Sequence, residues 1–409
     1  MAGRVRSGLA TGGAGRDPGP GLRRRGPLHA APGVGRAARG RGVTTVDRAR
    51  RFVEEQVRPN LEAWDREARY PREAVRGSGL TGLFSPASSG GLDLPYPEVM
   101  DVFEELGRGD AALAFSLSMH NAIASAVTRS GDDELKAAWG GRLSSGEALG
   151  GFSLTEPHAG SDAAAITTRA TATAEGWRVN GRKAWVSLAG EADLFLVVCK
   201  TSDEPGHRDI AMLAVEREGG GVSFPTIYRK AASDFLPIGE MVLADAPGRL
   251  LAPPGQGLRA ALGAIDVARC DIAAIANGLH AEALDVALRY GRDRRVFGQR
   301  VIDQQGIRWA LADAETELVA GRLLTRRAAE LLGTPEGSVA VAHAKRFCPD
   351  AALRAAILAS EVLGAYGWLR DHPLARFIAL AKMLQVVDGT AEIQRVVIGR
   401  DLVRRAETL

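Results

Sequence analysis

The chain has 409 residues, 45% of them hydrophobic and 25% charged, with a formal net charge of +3. That length allows a large buried core and two to four domains. Residues 1–42 hold nine Arg and one Asp and so carry +8, which leaves −5 on residues 43–409; a mildly acidic body argues against a nucleic-acid-binding core, which needs Lys and Arg clustered on folded elements.

Residues 1–42 also contain 12 Gly and four Pro and show no apolar period of 2 or 3.6. Such a segment buries too little surface to offset its ordering entropy, so residues 1–44 read as a disordered basic tail. An Arg-rich, acid-poor tail has the composition of a mitochondrial presequence, but its Gly and Pro are too dense for an amphipathic helix. With 46 Arg against 6 Lys, the chain has the bias of a GC-rich bacterial genome. The expectation is a bacterial cytoplasmic protein, with the mitochondrial matrix as the alternative if the tail is a transit segment. No secretory signal is visible, because the tail lacks an apolar core.

From residue 45 to 149 the pattern is helical. Val53, Val57 and Leu61 recur every four residues, and Met100, Phe103 and Leu106 every three. Ala111–Thr128 is an uncharged run of 18 residues, long enough for a membrane span. Its Ser116, Ser118, His120, Asn121, Ser125 and Thr128 point instead to a buried helix, so no membrane span is expected. Residues 150–250 change to strand-like patterning. Trp177–Val186 reads as two short runs joined by Asn180-Gly181, a hairpin signal. Asp193–Cys199, Ile210–Val215 and Met241–Leu243 read as further strands. Residues 251–409 return to helix, with long stretches at Ala260–Tyr290 and Ile307–Leu332. The expected class is α+β: an N-terminal helical domain, a central β-barrel domain and a C-terminal four-helix bundle. Cys199, Cys270 and Cys348 lack metal-ligand spacing and read as reduced core thiols, with no metal expected.

Four segments carry candidate chemistry. Phe152-Ser-Leu-Thr-Glu-Pro-His-Ala-Gly-Ser-Asp162 is a strand end running into a loop rich in hydroxyls and backbone N–H groups, able to hold a heterocycle edge and a phosphate. Taken alone it reads as a surface loop. Lys183-Ala-Trp-Val-Ser187 puts a large aromatic and a hydroxyl two residues apart, hence on one strand face. Arg294-Arg-Val-Phe-Gly-Gln299, followed by Gln304-Gln305, follows a long helix and could bind pyrophosphate or simply be a solvated helix end. In Gln385–Arg395, Asp388 stands between Val387 and Gly389, either as a helix N-cap or as a carboxylate placed to take a proton.

In this order, across helix–β–helix blocks, the segments resemble the acyl-CoA dehydrogenase family over about 46–402. The resemblance implies FAD as cofactor. Phe152, Leu154, Thr155 and Ser161 would line the flavin and its pyrophosphate, with Trp185 and Ser187 beside the ring. Arg294, Phe297, Gln305, Glu361 and Gly364 would contact the FAD of a neighbouring subunit, which implies a homodimer or homotetramer. Thr390 and Glu392 fall at further FAD contacts. Asp266 and Arg269 match positions that touch CoA, and His120, Val387 and Gly389 fall at substrate positions. The implied activity is α,β-desaturation of an acyl thioester on CoA or an acyl carrier protein. In it a carboxylate removes the α-proton, hydride passes to flavin N5, and an electron-transfer flavoprotein accepts the electrons.

The base in that family is usually a Glu before Gly-Thr, and this sequence has Asp388 there. The alternative base position, on the helix before an Arg, is Ala268. Asp is one methylene shorter than Glu, and a misplacement of about 1 Å can cost about 10²-fold in rate. Relatives with Asp here include alicyclic acyl-CoA dehydrogenases and nitroalkane oxidases. The expected substrate is therefore a short, branched or cyclic acyl group. A nitroalkane-oxidase-type flavin oxidase is the first alternative and a flavin monooxygenase of the same fold the second. Val387 replaces a commonly aromatic residue, which would open the pocket wall, and His120-Asn121 would favour a polar or short acyl group.

Overall fold

The computed structural model describes residues 43–202 and 208–409; residues 1–42 of the expected tail lie outside the described residues, and Val43 and Thr44 belong to the folded part. The N-terminal helical part comprises α1 (Thr45–Phe52), α2 (Arg58–Glu67), α3 (Arg72–Ser78), α4 (Tyr96–Gly109), α5 (Ala111–Ser130) and two short helices, α6 (Asp133–Leu135) and α7 (Gly141–Ser144). Thr44 opens α1 with a capping box, its side chain accepting from Asp47 N while Asp47 reaches back to the Thr44 backbone.

Helix α5 is long and apolar enough to cross a membrane, yet 89% of its apolar window is buried inside the protein. Its polar residues find partners there. Ser116 bonds Tyr70 at 2.9 Å, Ser118 donates to Asp271 at 2.7 Å, and Asn121 accepts from Leu83 N and donates to Leu80 O and Leu117 O. It is a core helix whose hydroxyls and amides are satisfied by the elements around it.

The strands are β1 (Gly150–Ser153), β2 (Arg169–Thr173), β3 (Gly176–Ser187), β4 (Leu194–Lys200), β5 (Ile210–Glu216), β6 (Val222–Ser223) and β7 (Ile238–Ala252). Their order is β1-β4-β2-β3-β7-β5, and the additional pairing of β4 with β5 closes the sheet into a barrel. Six of the seven β4 residues are buried, as a continuous apolar strand covered on both faces requires.

Asn180-Gly181 is not the hairpin turn that the sequence suggests. The strand β3 runs through it for 12 residues, with a register shift against β7 between Val179 and Gly181. Gly181 takes φ +154, and a Cβ there would meet Thr168 Oγ1 at 2.5 Å, so the glycine serves a bulge and a close approach. A second shift lies between Lys183 and Val186, where Trp185 takes φ +58. It interrupts the alternation that would have put Trp185 and Ser187 on one face.

The C-terminal part is α8 (Gly257–Asp293), the hairpin of β8 (Arg295–Val296) and β9 (Gln299–Arg300), then α9 (Gln305–Leu331), α10 (Gly337–Leu363), α11 (Leu374–Val386) and α12 (Ala391–Ala406). Helix α8 packs against α9, α10 and α11 and also against α4 and α5, which joins both helical parts to one core. The three cysteines are buried and free.

Candidate active site

A cleft opens where α5, β1, α8 and the α11–α12 turn meet. Met119, Ala122 and Ile123 of α5, Phe152 of β1, and Ala264, Ile265 and Ala268 of α8 line it together with Asp388. The cleft is narrow, and Asp388 is the one polar residue among the described residues that line it. The structure thus brings the expected flavin-side residue Phe152 and the expected base onto one surface. Ala268 is on that wall too, without a carboxylate.

Asp388 sits in left-handed backbone at φ +53, followed by Gly389 at φ +100. Asp tolerates this region better than most residues. It does not cap α12: Thr390 does, accepting from Ile393 N at 3.4 Å. The turn is held by its carbonyls. Arg269 Nε donates to Asp388 O at 2.7 Å, Gln394 Nε2 to Gly389 O at 3.1 Å, and Lys345 Nζ to Leu384 O at 2.6 Å. Gly389 has a second reason to lack a side chain, since a Cβ would meet Arg269 Nη2 at 2.7 Å.

The carboxylate itself is left short. Asp388 Oδ2 is sealed from solvent and has no hydrogen-bond partner. Burial pushes its pKa up to about 6, against the opposing pull of Lys345 and then Arg269. Lys345 is pushed down to about 8 by the same burial, with Asp388 pulling it back up. Asp271, next to Cys270 on α8, is also buried, and burial raises its pKa well above the ordinary carboxylate value.

Arg269 also pairs with Asp266 at 2.8 Å, and Asp266 accepts from Ser338 Oγ at 2.5 Å. Both residues expected at CoA therefore adjoin the turn that carries Asp388. One other substrate expectation needs correction. His120 is fully buried, not on the cleft: Nε2 faces Thr81 O and Leu143 O at 3.1 and 3.0 Å, and Nδ1 accepts from Gly150 N at 3.1 Å. Its neighbours on the other face of α5 form the wall, so that wall is apolar and not polar. Val387 packs against the helical core and the cleft is lined without it, while Gly389 lies under Arg269. The signal for the true wall was present: Met119, Ala122 and Ile123 share one face at spacings of three and four.

The residues expected at the flavin fall into two groups. On the barrel side, Trp185 is 64% exposed and braced by the Tyr228 ring at 4.7 Å. Leu154 and Ser187 are buried, Thr155 is half-buried and Ser161 exposed on a loop whose Gly160 has open space around it. An exposed indole beside an open loop of hydroxyls and backbone N–H groups fits a flavin ring and its phosphates. Thr390 caps α12, and Glu392 is exposed and paired with Arg395 at 2.9 Å.

Arg294, Phe297, Gln305, Glu361 and Gly364 form the second group, in exposed positions at the ends of α8, α9 and α10, and none of them lines the cleft. Phe297 is 97% exposed at φ +50 in the β8–β9 turn, and Gly364 closes α10 at φ +60. The α8 and α10 ends touch through Tyr290 and Tyr366, whose ring centroids lie 6.1 Å apart. Lys345 and Gln394 are residues around the turn that sequence reasoning missed, because a buried Lys and a buried Gln inside a helix carry no local signature.

Comparison with known proteins covers nearly the whole described chain. Residues 44–147, 151–246 and 255–403 match the family models described as acyl-CoA dehydrogenase N-terminal, middle and C-terminal domains. The chain is 34% identical to a glutaryl-CoA dehydrogenase of Desulfococcus multivorans, over 86% of this chain and 94% of that one. The solved butyryl-CoA dehydrogenase of Megasphaera elsdenii superimposes with a TM-score of 0.84 at 30% identity, over 88% of this chain and 97% of that one. A glutaryl-CoA dehydrogenase of Mycobacterium smegmatis in complex with FADH2 superimposes with a TM-score of 0.80 at 26% identity, over 88% and 93% of the two chains.

Proposed function

Since the chain belongs to the acyl-CoA dehydrogenase family of FAD-dependent oxidoreductases acting on a CH–CH group, we propose that it desaturates a short, apolar acyl thioester with Asp388 as base. The observation that carries this is the carboxylate of Asp388 in an apolar wall, with Oδ2 unpartnered. A carboxylate in that setting has basicity to spare, and its pKa of about 6 leaves it ionised at neutral pH.

Bound FAD supplies the hydride acceptor. The chain's own residues do the rest. Phe152, Met119 and Ile123 exclude water and orient the acyl group, Asp388 takes the proton from the carbon α to the thioester, and Arg269 with Gln394 fixes the turn that presents it. Among the described residues no cation lines the cleft to pair with a second carboxylate, which favours a monocarboxylic acyl group: linear and short, branched, or cyclic. The thioester is carried by CoA or an acyl carrier protein, and an electron-transfer flavoprotein takes the electrons. The exposed Arg294, Phe297, Gln305, Glu361 and Gly364 meet the FAD of a second copy in a homodimer or homotetramer, and exposure of Phe297 supports this.

The test is anaerobic bleaching of the yellow holoenzyme. Butyryl-CoA, isobutyryl-CoA and cyclic acyl-CoA thioesters are expected to bleach it, and Asp388→Asn to hold FAD without bleaching. Bleaching by nitroethane and by no thioester would overturn the reading in favour of the oxidase.

A further inference from the structure

Three long side chains from three helices grip the turn that carries Asp388. Arg269 comes from α8, Lys345 from α10 and Gln394 from α12, each donating to a different carbonyl between residues 384 and 389. Carbonyls in the last turn of a helix lack intrahelical partners, so Lys345 fills at Leu384 a vacancy that α11 cannot fill itself.

Two of the three side chains are cations, and their charges differ in availability. Arg269 is committed, bonded to Asp266 at 2.8 Å. Lys345 is 1% exposed, and among the described residues no carboxylate oxygen lies within 4.0 Å of its Nζ. An ammonium has three donors, and one of them is used here. A buried charge with so few partners is costly unless an opposite charge is near. Asp388, whose Oδ2 has no partner, is the opposite charge that Lys345 feels most strongly.

We propose that Lys345 is a positioning residue for Asp388: it fixes the end of the helix from which the base hangs, and it supplies the uncommitted positive charge beside an otherwise apolar wall. The proposal rests on the reading of Asp388 as base. The groups around the pair leave that role to Lys345. On α8, Arg269 is paired with Asp266, and Asp271, its pKa raised by burial, accepts from Ser118 of α5. On α10, Arg346 pairs with Asp350, and the Cys348 thiol is held up at about 12. Lys382 of α11 bonds Gln385, and Glu392 and Arg395 of α12 pair with each other at the surface. Burial raises the Asp388 pKa and lowers that of Lys345, and each group's charge opposes the shift of the other.

The experiment uses the FAD holoenzyme of the wild type, Lys345→Gln, Lys345→Met and Lys345→Arg. The carboxyl of Asp388 is titrated by ¹³C NMR, assigned through its loss in Asp388→Asn, with and without FAD. Flavin reduction by butyryl-CoA is followed anaerobically against pH. Lys345→Gln can still donate to Leu384 O but carries no charge. It is expected to raise the Asp388 midpoint by at least about one unit and slow reduction at pH 6 by roughly tenfold, with recovery at higher pH and little change in KM. Lys345→Met is expected to show the same shift and a lower melting temperature, and Lys345→Arg to restore the wild-type midpoint. An unmoved midpoint in folded Lys345→Gln, or a rate loss equal at every pH, would overturn the role of Lys345. Reduction by Asp388→Asn would instead overturn the base reading, so the two failures are distinct.

Discussion

Among the described residues two lysines, Lys183 and Lys345, are buried near a carboxylate, and their surroundings are built to opposite ends. In the barrel, Lys183 Nζ touches Glu156 Oε1 at 2.8 Å, and Glu156 also accepts from Thr167 N, Thr167 Oγ1 and Thr168 N. Burial alone would raise its pKa, but Lys183 and these donors together depress it to about 2. In the helical part, Lys345 and Asp388 stay out of contact, the carboxylate lacks a hydrogen bond on Oδ2, and its pKa rises to about 6. A saturated carboxylate has no basicity left and can only hold structure. One that is left short stores the tendency to accept a proton, at a cost in stability that the fold must carry. Glu156 ties the Thr155–Thr168 loop to β3, whereas Asp388 faces a cleft.

Breaking each pair should therefore give opposite outcomes. The largest effect expected is on Asp388→Asn, which should lose about 10²–10⁴-fold in the rate of flavin reduction, measured by stopped flow, while FAD content stays near one per chain. Next comes Lys183→Met, which strands Glu156 in a dry site; it should lower stability by about 3–5 kcal/mol in urea unfolding and leave little soluble holoenzyme. Finding Lys183→Met as stable as wild type would dissolve the distinction between the pairs.

The pH dependence of stability sharpens the same contrast, with signs that follow from the direction of each shift. The native pKa of Asp388 lies above its unfolded value, so the wild type loses stability as pH rises through about 4 to 6. Asp388→Asn escapes that loss and should be more stable than wild type at pH 8, on the order of 2 kcal/mol, with the advantage shrinking toward pH 4. Glu156 has the opposite sign: its native pKa lies below the unfolded one, so its contribution is present above about pH 4.5 and is lost as pH falls toward about 2. Melting curves of Asp388→Asn and Glu156→Gln across pH 3 to 8 would show both trends or refute them.

The two pairs also mark how far the sequence could be read. Helix and strand periods located α8, α9, β4 and β5 to within a few residues, because apolar spacing is local information. The Asn-Gly signal failed because what decided it was not local: Thr168 on a neighbouring segment closes over Gly181 and makes the strand continue through a bulge. Asp388 was legible through the motif around it. Lys345 was not, since 43 residues separate it from Asp388 and only the packing of α10 on α11 brings it to the turn. The cleft wall was half legible. Attention to the polar His120-Asn121 pair drew the reading to the wrong face of α5, while the Met119–Ala122–Ile123 face carried the lining.

His120 supplies the smallest and most discriminating test, as a third buried titratable group that belongs with the saturated class. Its ring nitrogens are engaged by Thr81 O, Leu143 O and Gly150 N, and burial pushes its pKa down to about 4, so it is neutral in the fold. The native pKa is below the unfolded value of about 6.5, so the unfolded chain takes up a proton first and stability falls as pH drops from about 6.5 toward 4. His120→Gln should cost about 1–3 kcal/mol through unpaired backbone groups and remove that segment of the pH dependence. Steady-state KM and the preference among acyl chain lengths should stay at wild-type values, because the residue touches none of the cleft. Met119→Ala, one residue earlier on the side of the helix that lines the cleft, should do the reverse. Its melting temperature should fall modestly, and the specificity ratio of hexanoyl-CoA to butyryl-CoA should rise by about tenfold or more as the wall recedes. If His120→Gln changed the acyl preference and Met119→Ala did not, the assignment of the two faces of α5 would have to be exchanged.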